Sequence, residues 1–276
     1  MKMAWFRQGQ AGVSVALGAA LLVSFSTTHA APTTLIYINS SSGALYSYDA
    51  GNAYAESLVA ASTGAFSISS GPAANTIYIQ SIGLSTYDLV TNTQTNVGGS
   101  VPGNALGEGR DGFLYAGSGV GLYRVDPNTG LSNFIGNGSF GYAGDIAVDP
   151  TDLAAMYGAV NGPGGVSLVR VDKATGAQTL VGSFGLAGAS IFGLGFSLDG
   201  TLYAAGPTAG GGGIFTINKT TGAASLARNV GYQPFDMATQ PFEFREPNPN
   251  PVPVPATLAL LGLGFGALAV SRRRKH

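Results

Sequence analysis

Leu122-Tyr123-Arg124-Val125-Asp126-Pro127-Asn128-Thr129-Gly130 returns 46 residues later as Leu168-Val169-Arg170-Val171-Asp172-Lys173-Ala174-Thr175-Gly176. It returns again as Ile214-Phe215-Thr216-Ile217-Asn218-Lys219-Thr220-Thr221-Gly222. Each copy is a β-branched or aromatic run that breaks at Asp or Asn and restarts after Gly. The break has a physical cause. Asp or Asn accepts a hydrogen bond from the backbone two residues on, and Gly supplies the positive φ that closes a hairpin. The run is therefore a strand, and the Thr-Gly turn leads into another.

Working outward, each copy gains an apolar strand, an Asp-Gly-type turn and a Leu-Tyr-Ala strand before it. One unit runs 105–136 with Phe113-Leu114-Tyr115-Ala116, the next 145–182 with Met156-Tyr157-Gly158, and a third 192–228 with Leu202-Tyr203-Ala204. A worn copy occupies 66–98, with Thr76-Ile77-Tyr78-Ile79 and Tyr87-Asp88-Leu89-Val90-Thr91-Asn92. Four short runs per unit predict four antiparallel strands. Repeated units of about 40 residues predict propeller blades.

The first segment, Thr34–Asn39, Leu45–Asp49 and Tyr54–Ala60, has only three strands. The missing one lies at the other end, where Phe235-Asp236-Met237-Ala238-Thr239-Gln240-Pro241 matches Asp145-Ile146-Ala147-Val148-Asp149-Pro150. The expectation is an all-β, five-bladed β-propeller, closed by the C-terminal strand completing blade one, which leaves no exposed sheet edge. The body resembles the broad class of bacterial propeller repeats. An open β-solenoid and a pair of β-sandwich halves are the competing architectures.

The two ends read differently. Lys2 and Arg7 lead an apolar core, Ala11–Phe25, and Thr28-His29-Ala30 offers small residues where a signal peptidase cuts. Residues 1–30 read as a secretory signal peptide, with cleavage after Ala30 or Ala31. Residues 31–245 form the repeat domain, and 246–255 a stiff Pro/Asn-rich linker. Residues 256–276 are an apolar segment with a basic tail. As a helix, Ala256–Ser271 would reach only about 24 Å, short of a bilayer core of about 30 Å.

In order, the C-terminus reads Pro253-Val254-Pro255, Ala256-Thr257-Leu258, a Leu/Gly run, then Arg272, Arg273, Arg274 and Lys275. It resembles the PEP-CTERM sorting signal of Gram-negative bacteria, with Val254 where that family has Glu. The resemblance implies export, transient anchoring in the membrane, cleavage by an exosortase, and release to the cell surface or exopolysaccharide matrix. Pro253, Val254, Pro255, Arg272, Arg273 and Arg274 would carry the signal. The competing reading is an ordinary membrane anchor. Both ends place the body outside the cytoplasm, since positive charge stays inside.

Composition removes most chemistry from the body. Both histidines and the one tryptophan lie in the terminal segments, and there is no cysteine. Such a body has no Ser-His-Asp triad, no thiol nucleophile and no His/Cys zinc site. Calcium on oxygen ligands is the one metal chemistry left. Residues 32–250, the body with the start of its linker, hold all 14 acids but seven of the 13 bases, a net charge of −7 that disfavours nucleic acid.

The remaining motifs have plain explanations. Gly136-Asn137-Gly138-Ser139-Phe140-Gly141 fits G-x-G-x-x-G, but a strand rather than a helix follows, so no nucleotide site is expected. Gly117–Gly121 and Gly210–Gly213 read as hairpin loops. Asp145, Asp149, Asp152 and Glu108 are the acids expected near a propeller axis, where paired carboxylates could serve hydrolysis. Asp149 and Asp111 also suit turn capping. Tyr37, Tyr78, Tyr115, Tyr157 and Tyr203 recur in register, which points to packing between blades rather than a glycan platform. The expectation is a non-catalytic, exported scaffold or binding domain without a cofactor. Its partners would be signal peptidase, an exosortase-like enzyme, the membrane and exopolysaccharide. A polysaccharide- or lactone-hydrolysing enzyme is the alternative.

Overall fold

The computed structural model describes residues 34–240 apart from 188 and 189. The signal peptide, the linker, the terminal apolar helices and the six sorting-signal residues lie outside these residues. Among the described residues no helix is long and apolar enough to cross a membrane.

Among the described residues, all the regular structure is β. Blade one contains β1 (Leu35–Ser40), β2 (Leu45–Asp49) and β3 (Ala55–Ala60). Blade two is β4 (Ser67–Ser70), β5 (Thr76–Gln80), β6 (Leu84–Asp88) and β7 (Thr93–Gly98). Blade three is β8 (Ala105–Glu108), β9 (Leu114–Ser118), β10 (Gly121–Val125) and β11 (Ser132–Asn137). Blade four is β12 (Tyr142–Val148), β13 (Met156–Gly162), β14 (Gly165–Val171) and β15 (Gln178–Ser183). Blade five is β16 (Gly193–Phe196), β17 (Leu202–Thr208), β18 (Gly211–Ile217) and β19 (Ala224–Val230). The last strand, β20 (Pro234–Thr239), pairs antiparallel with β1, in the order β20-β1-β2-β3. The five four-stranded sheets and the terminal closure are those the repeats predict.

The turns work as their residues require. Asp88 Oδ1 accepts from the amides of Val90 and Thr91, Asp172 Oδ1 from Ala174 and Thr175, and Asn218 Oδ1 from Thr220 and Thr221. Gly130, Gly176 and Gly222 follow at φ 68°, 74° and 80°. In the worn copy Asn92 takes the same left-handed conformation, at φ 55°.

The core is five clusters, one at each junction between blades. The recurring tyrosine is the second residue of the second strand of its blade in blades three, four and five, and the third in blades one and two. All five are at most 9% exposed. Tyr37 packs with Ile68 and Ile77, Tyr78 with Leu106 and Leu114, and Tyr115 with Ile146 and Met156. Tyr157 packs with Leu194 and Phe196, and Tyr203 with Ile36 and Met237. Every tyrosine therefore reaches the next blade. Its cross-strand partner on the inner strand is always small: Ala238, Ser69, Gly107, Ala147 or Gly195. The spacing of the inner strands explains this, since a Cβ on Gly107 would meet the Ile146 carbonyl at 2.0 Å.

Alternating strand direction gives the disc two unlike faces. The first-to-second and third-to-fourth strand turns lie on one face. They hold Asp111, Asp126, Asp152, Asp172 and Asp199, with Asp49 and Asp88 at the strand ends and Asp149 just beyond one. The second-to-third hairpins and the links between blades lie on the other, and none of them contains Asp, Glu, Lys or Arg. Leu35 and Thr239 both lie on the acidic side, where the Gln240 amide donates to the Leu35 carbonyl at 2.7 Å.

Candidate functional site

The inner strands β20, β4, β8, β12 and β16 line the propeller axis, which carries three layers of unlike chemistry. The middle layer holds two carboxyls. Asp145 stands on β12 and Asp236 on β20, and both are almost wholly buried, at 1% exposure each. Asp145 Oδ1 accepts from the Leu106 amide at 2.9 Å and Oδ2 from the Leu194 amide at 3.3 Å. The Ile146 amide also donates to it. Asp236 accepts from the amides of Ile68 at 2.9 Å and Met237 at 2.8 Å, and from the Ser67 hydroxyl.

These five amides occupy one equivalent position in the five inner strands. Each points to the axis, where no further strand exists to accept its hydrogen bond. An unpaired buried amide costs about 1–3 kcal/mol, so five-fold closure creates a ring of donors that something must satisfy. Two carboxyls do so. They also bond to each other, and burial raises the pKa of both. The charge of Asp236 raises Asp145 further. Two carboxyls in contact share one proton.

Towards the acidic face, about three residues further along the strands, lies a second layer. Glu108 at the end of β8 is 7% exposed and accepts from the Ser70 hydroxyl at 3.3 Å. Burial raises its pKa, while the Arg110 guanidinium pulls it down. Arg110 Nε donates to the Val148 carbonyl at 3.2 Å, across the mouth. Ser69, Ser70 and Thr239 complete a polar cavity of about 20 Å³, room for about one water.

The third layer opens on the uncharged face. Phe66, Asn104, Gly144, Phe192 and Phe235, one from each blade and each one residue before the amide-ring carboxyl position, line a cavity of about 120 Å³. The phenylalanines belong to the consecutive blades five, one and two. They form a crescent, with Asn104 and Gly144 opposite.

The structure divides the four acids expected at the axis. Asp145 and Glu108 line the channel, in different layers. Asp149 and Asp152 do not: Asp149 lies in the turn after β12, capping Thr151 and bonded to Lys219 at 2.5 Å, and Asp152 pairs with Arg170 on the surface. The two sit beyond the strand end, where the chain has turned outward. Asp111 caps Phe113 and accepts from the Tyr115 hydroxyl, as a turn residue should. Asp236, met in the sequence only as part of a strand match, is the missing partner of Asp145. Its signal was there: Phe235-Asp236-Met237-Ala238 aligns Asp236 with Asp145, where the other blades have Ser67, Ala105 and Gly193. No group of three or more His, Cys, Asp or Glu suited to a metal occurs among the described residues. Before β12, Gly136–Gly141 runs from strand to strand.

Comparison with known proteins identifies the C-terminus. Residues 251–275 match the family model described as PEP-CTERM protein-sorting motif. The chain carries a PEP-CTERM sorting motif. That motif implies export, sorting to the cell envelope of Gram-negative bacteria, and processing by exosortase-like machinery. The match runs across Val254. No curated protein matches the chain.

Among solved structures, a symmetrical protein studied for its de novo evolutionary emergence is similar at 16% identity and TM-score 0.51. That likeness covers 74% of this chain and 97% of the other. The nidogen/laminin complex is similar at 7% identity and TM-score 0.49, over 77% of this chain and 99% of that one. TolB from Acinetobacter baumannii matches at 15% identity and TM-score 0.44, over 70% of this chain. The chain spans about half the length of TolB, 52%. The first of these likenesses is one of fold alone.

Proposed function

We propose that this PEP-CTERM protein is a non-catalytic binding module, exported and released by an exosortase to the cell surface or exopolysaccharide matrix. The saturation of the axial carboxyls carries this reading. Hydrolysis of a glycosidic bond needs two carboxyls about 5–10 Å apart with substrate between them. Asp145 and Asp236 touch each other, are buried, and give their lone pairs to the inner-strand amides. Glu108 is isolated from that pair by its position along the channel, in a cavity with room for about one water. No cofactor enters this reading, and calcium has no clustered carboxylates to hold it among the described residues.

Two measurements test it. Full-length protein should release no reducing ends from polysaccharides and open no lactones. Turnover that disappears in Glu108→Gln would overturn the non-catalytic reading. Cell fractionation with intact-mass measurement tests the sorting. The expected product begins near Ala31 and ends before Leu258. Protein retaining His276 and found only in membranes would make the C-terminus a plain anchor, and Val254→Glu should then increase release.

A further inference from the structure

The geometry points to the aromatic mouth on the uncharged face as a binding site for a neutral polysaccharide, one sugar ring lying against the Phe66–Phe235–Phe192 crescent. This rests on the binding-module reading and names its site and ligand class.

Four observations lead there. First, every connection on this face lacks a charged residue, while the opposite face gathers the aspartates. The same repeat builds both faces, so the asymmetry is a property of the molecule rather than of its composition. Second, the mouth departs from that repeat. Phenylalanine stands at three of five equivalent positions, and Phe66 and Phe235 are 54% and 40% exposed where ring burial would stabilise the fold. Exposed aromatics around a concave site are what a ligand with an apolar ring face requires. Third, the cavity of about 120 Å³ compares with the roughly 150 Å³ that holds a benzene ring. It is sized for the face of one ring rather than for a whole enclosed sugar, and Asn104, exposed opposite the phenylalanines, makes that side polar. The Asn104 amide can both donate to and accept from hydroxyls.

Fourth, charge selects within the polysaccharides. The Asp145–Asp236 pair lies one residue further along the inner strands than the phenylalanines, and the body is net negative. A uronate-bearing polymer meets repulsion and no basic residue in the connections of this face. The chain leaves β20 on the acidic side, away from the mouth.

Gel retardation tests the proposal, with the full chain in non-ionic detergent. Gels would contain amylose, galactomannan or mixed-linkage β-glucan as neutral polymers, or alginate as an anionic one. The expected result is retardation by at least one neutral polymer and none by alginate. The double variant Phe66→Ala/Phe235→Ala should weaken retardation by about tenfold or more. Phe134→Ala, equally exposed on the outer strand β11, should leave it unchanged. Phe66→Ala alone, which lies outside any strand, keeps the test available if the double variant melts early. Retardation that survives the Phe66 and Phe235 changes would sink the site while leaving a binding module intact. Stronger retardation by alginate would sink the ligand class. No retardation by any polymer would overturn both the site and the binding reading beneath it.

Discussion

Aspartate does opposite work at the rim and at the axis of this propeller. Asp88 and Asp172 are solvent-exposed and accept two backbone amides each, which hold their carboxyls below the ordinary pKa. Asp145 and Asp236 also accept backbone amides, yet burial pushes them well above it. The donors are alike; water is what differs. At the rim the ionised form keeps its hydration and gains hydrogen bonds. At the axis it loses hydration and faces a second carboxyl. In a repeat protein, rim duties recur in each blade, whereas the axis is occupied once per ring and breaks the repeat.

The largest effect separating the two regions should come from the strand that carries Asp236. Deleting residues 234–240 removes the inner strand of blade one, uncovers Ile36 and Ile38, and leaves β1 paired on its β2 side only. No cooperative thermal transition should remain. A melt close to wild type would mean that β20 does not close the ring.

Next comes the axis itself. Asp236→Ala leaves the Ile68 and Met237 amides unsatisfied and strips Asp145 of its partner, a loss of about 3 kcal/mol or more by urea unfolding. Replacing any one interblade tyrosine, such as Tyr157→Ala, should cost about 3–5 kcal/mol. All five positions should give similar values because their surroundings are equivalent. One tyrosine costing under about 1 kcal/mol would break that equivalence.

The pH profile sharpens the contrast further. The raised axial pair keeps a proton that the unfolded chain releases above about pH 4. Its contribution is therefore fully present below that value and falls as pH rises through the raised folded pKa. The depressed rim carboxylates act in reverse, contributing above the unfolded pKa and losing their effect as pH falls. Asp236→Asn should flatten the fall in stability expected above about pH 4 and leave the acid limb alone. Asp88→Ala should soften the acid limb only, and this is the smallest effect. If Asp236→Asn left the fall above about pH 4 unchanged, the pair would not share a proton.

What the sequence made legible divides along the same line. Whatever recurs could be read: the strands, the Asp-x-x-Thr-Gly turns, the tyrosines that join blades, and the strand that completes blade one. The recurrence at Gly130, Gly176 and Gly222 is enough to set the blade length. What occurs once could not. The amide ring exists only when five inner strands converge, so nothing local in Ser67 or Ala105 announces it. Asp236 looked like one residue of a worn strand, and Asp149, four residues after Asp145, looked like its neighbour on the axis. Counting residues along a strand does not say where the chain turns outward. Phe66, Phe192 and Phe235 lie far apart in sequence, and only closure makes them a single mouth.

The pairing of β20 with β1 also sets a schedule. Contacts that join residues 35 and 36 to residues 239 and 240 span nearly the whole propeller sequence, and such contacts form late. A polypeptide crossing a membrane from its N-terminus would deliver β1 to β3 first, and while blades two to five follow and complete, these three would wait as an incomplete sheet. Their missing strand arrives only 11 residues before the sorting motif begins at residue 251. Eleven extended residues reach at most about 40 Å. The last strand of the ring and the sorting motif are thus brought out almost together by the order of the chain alone.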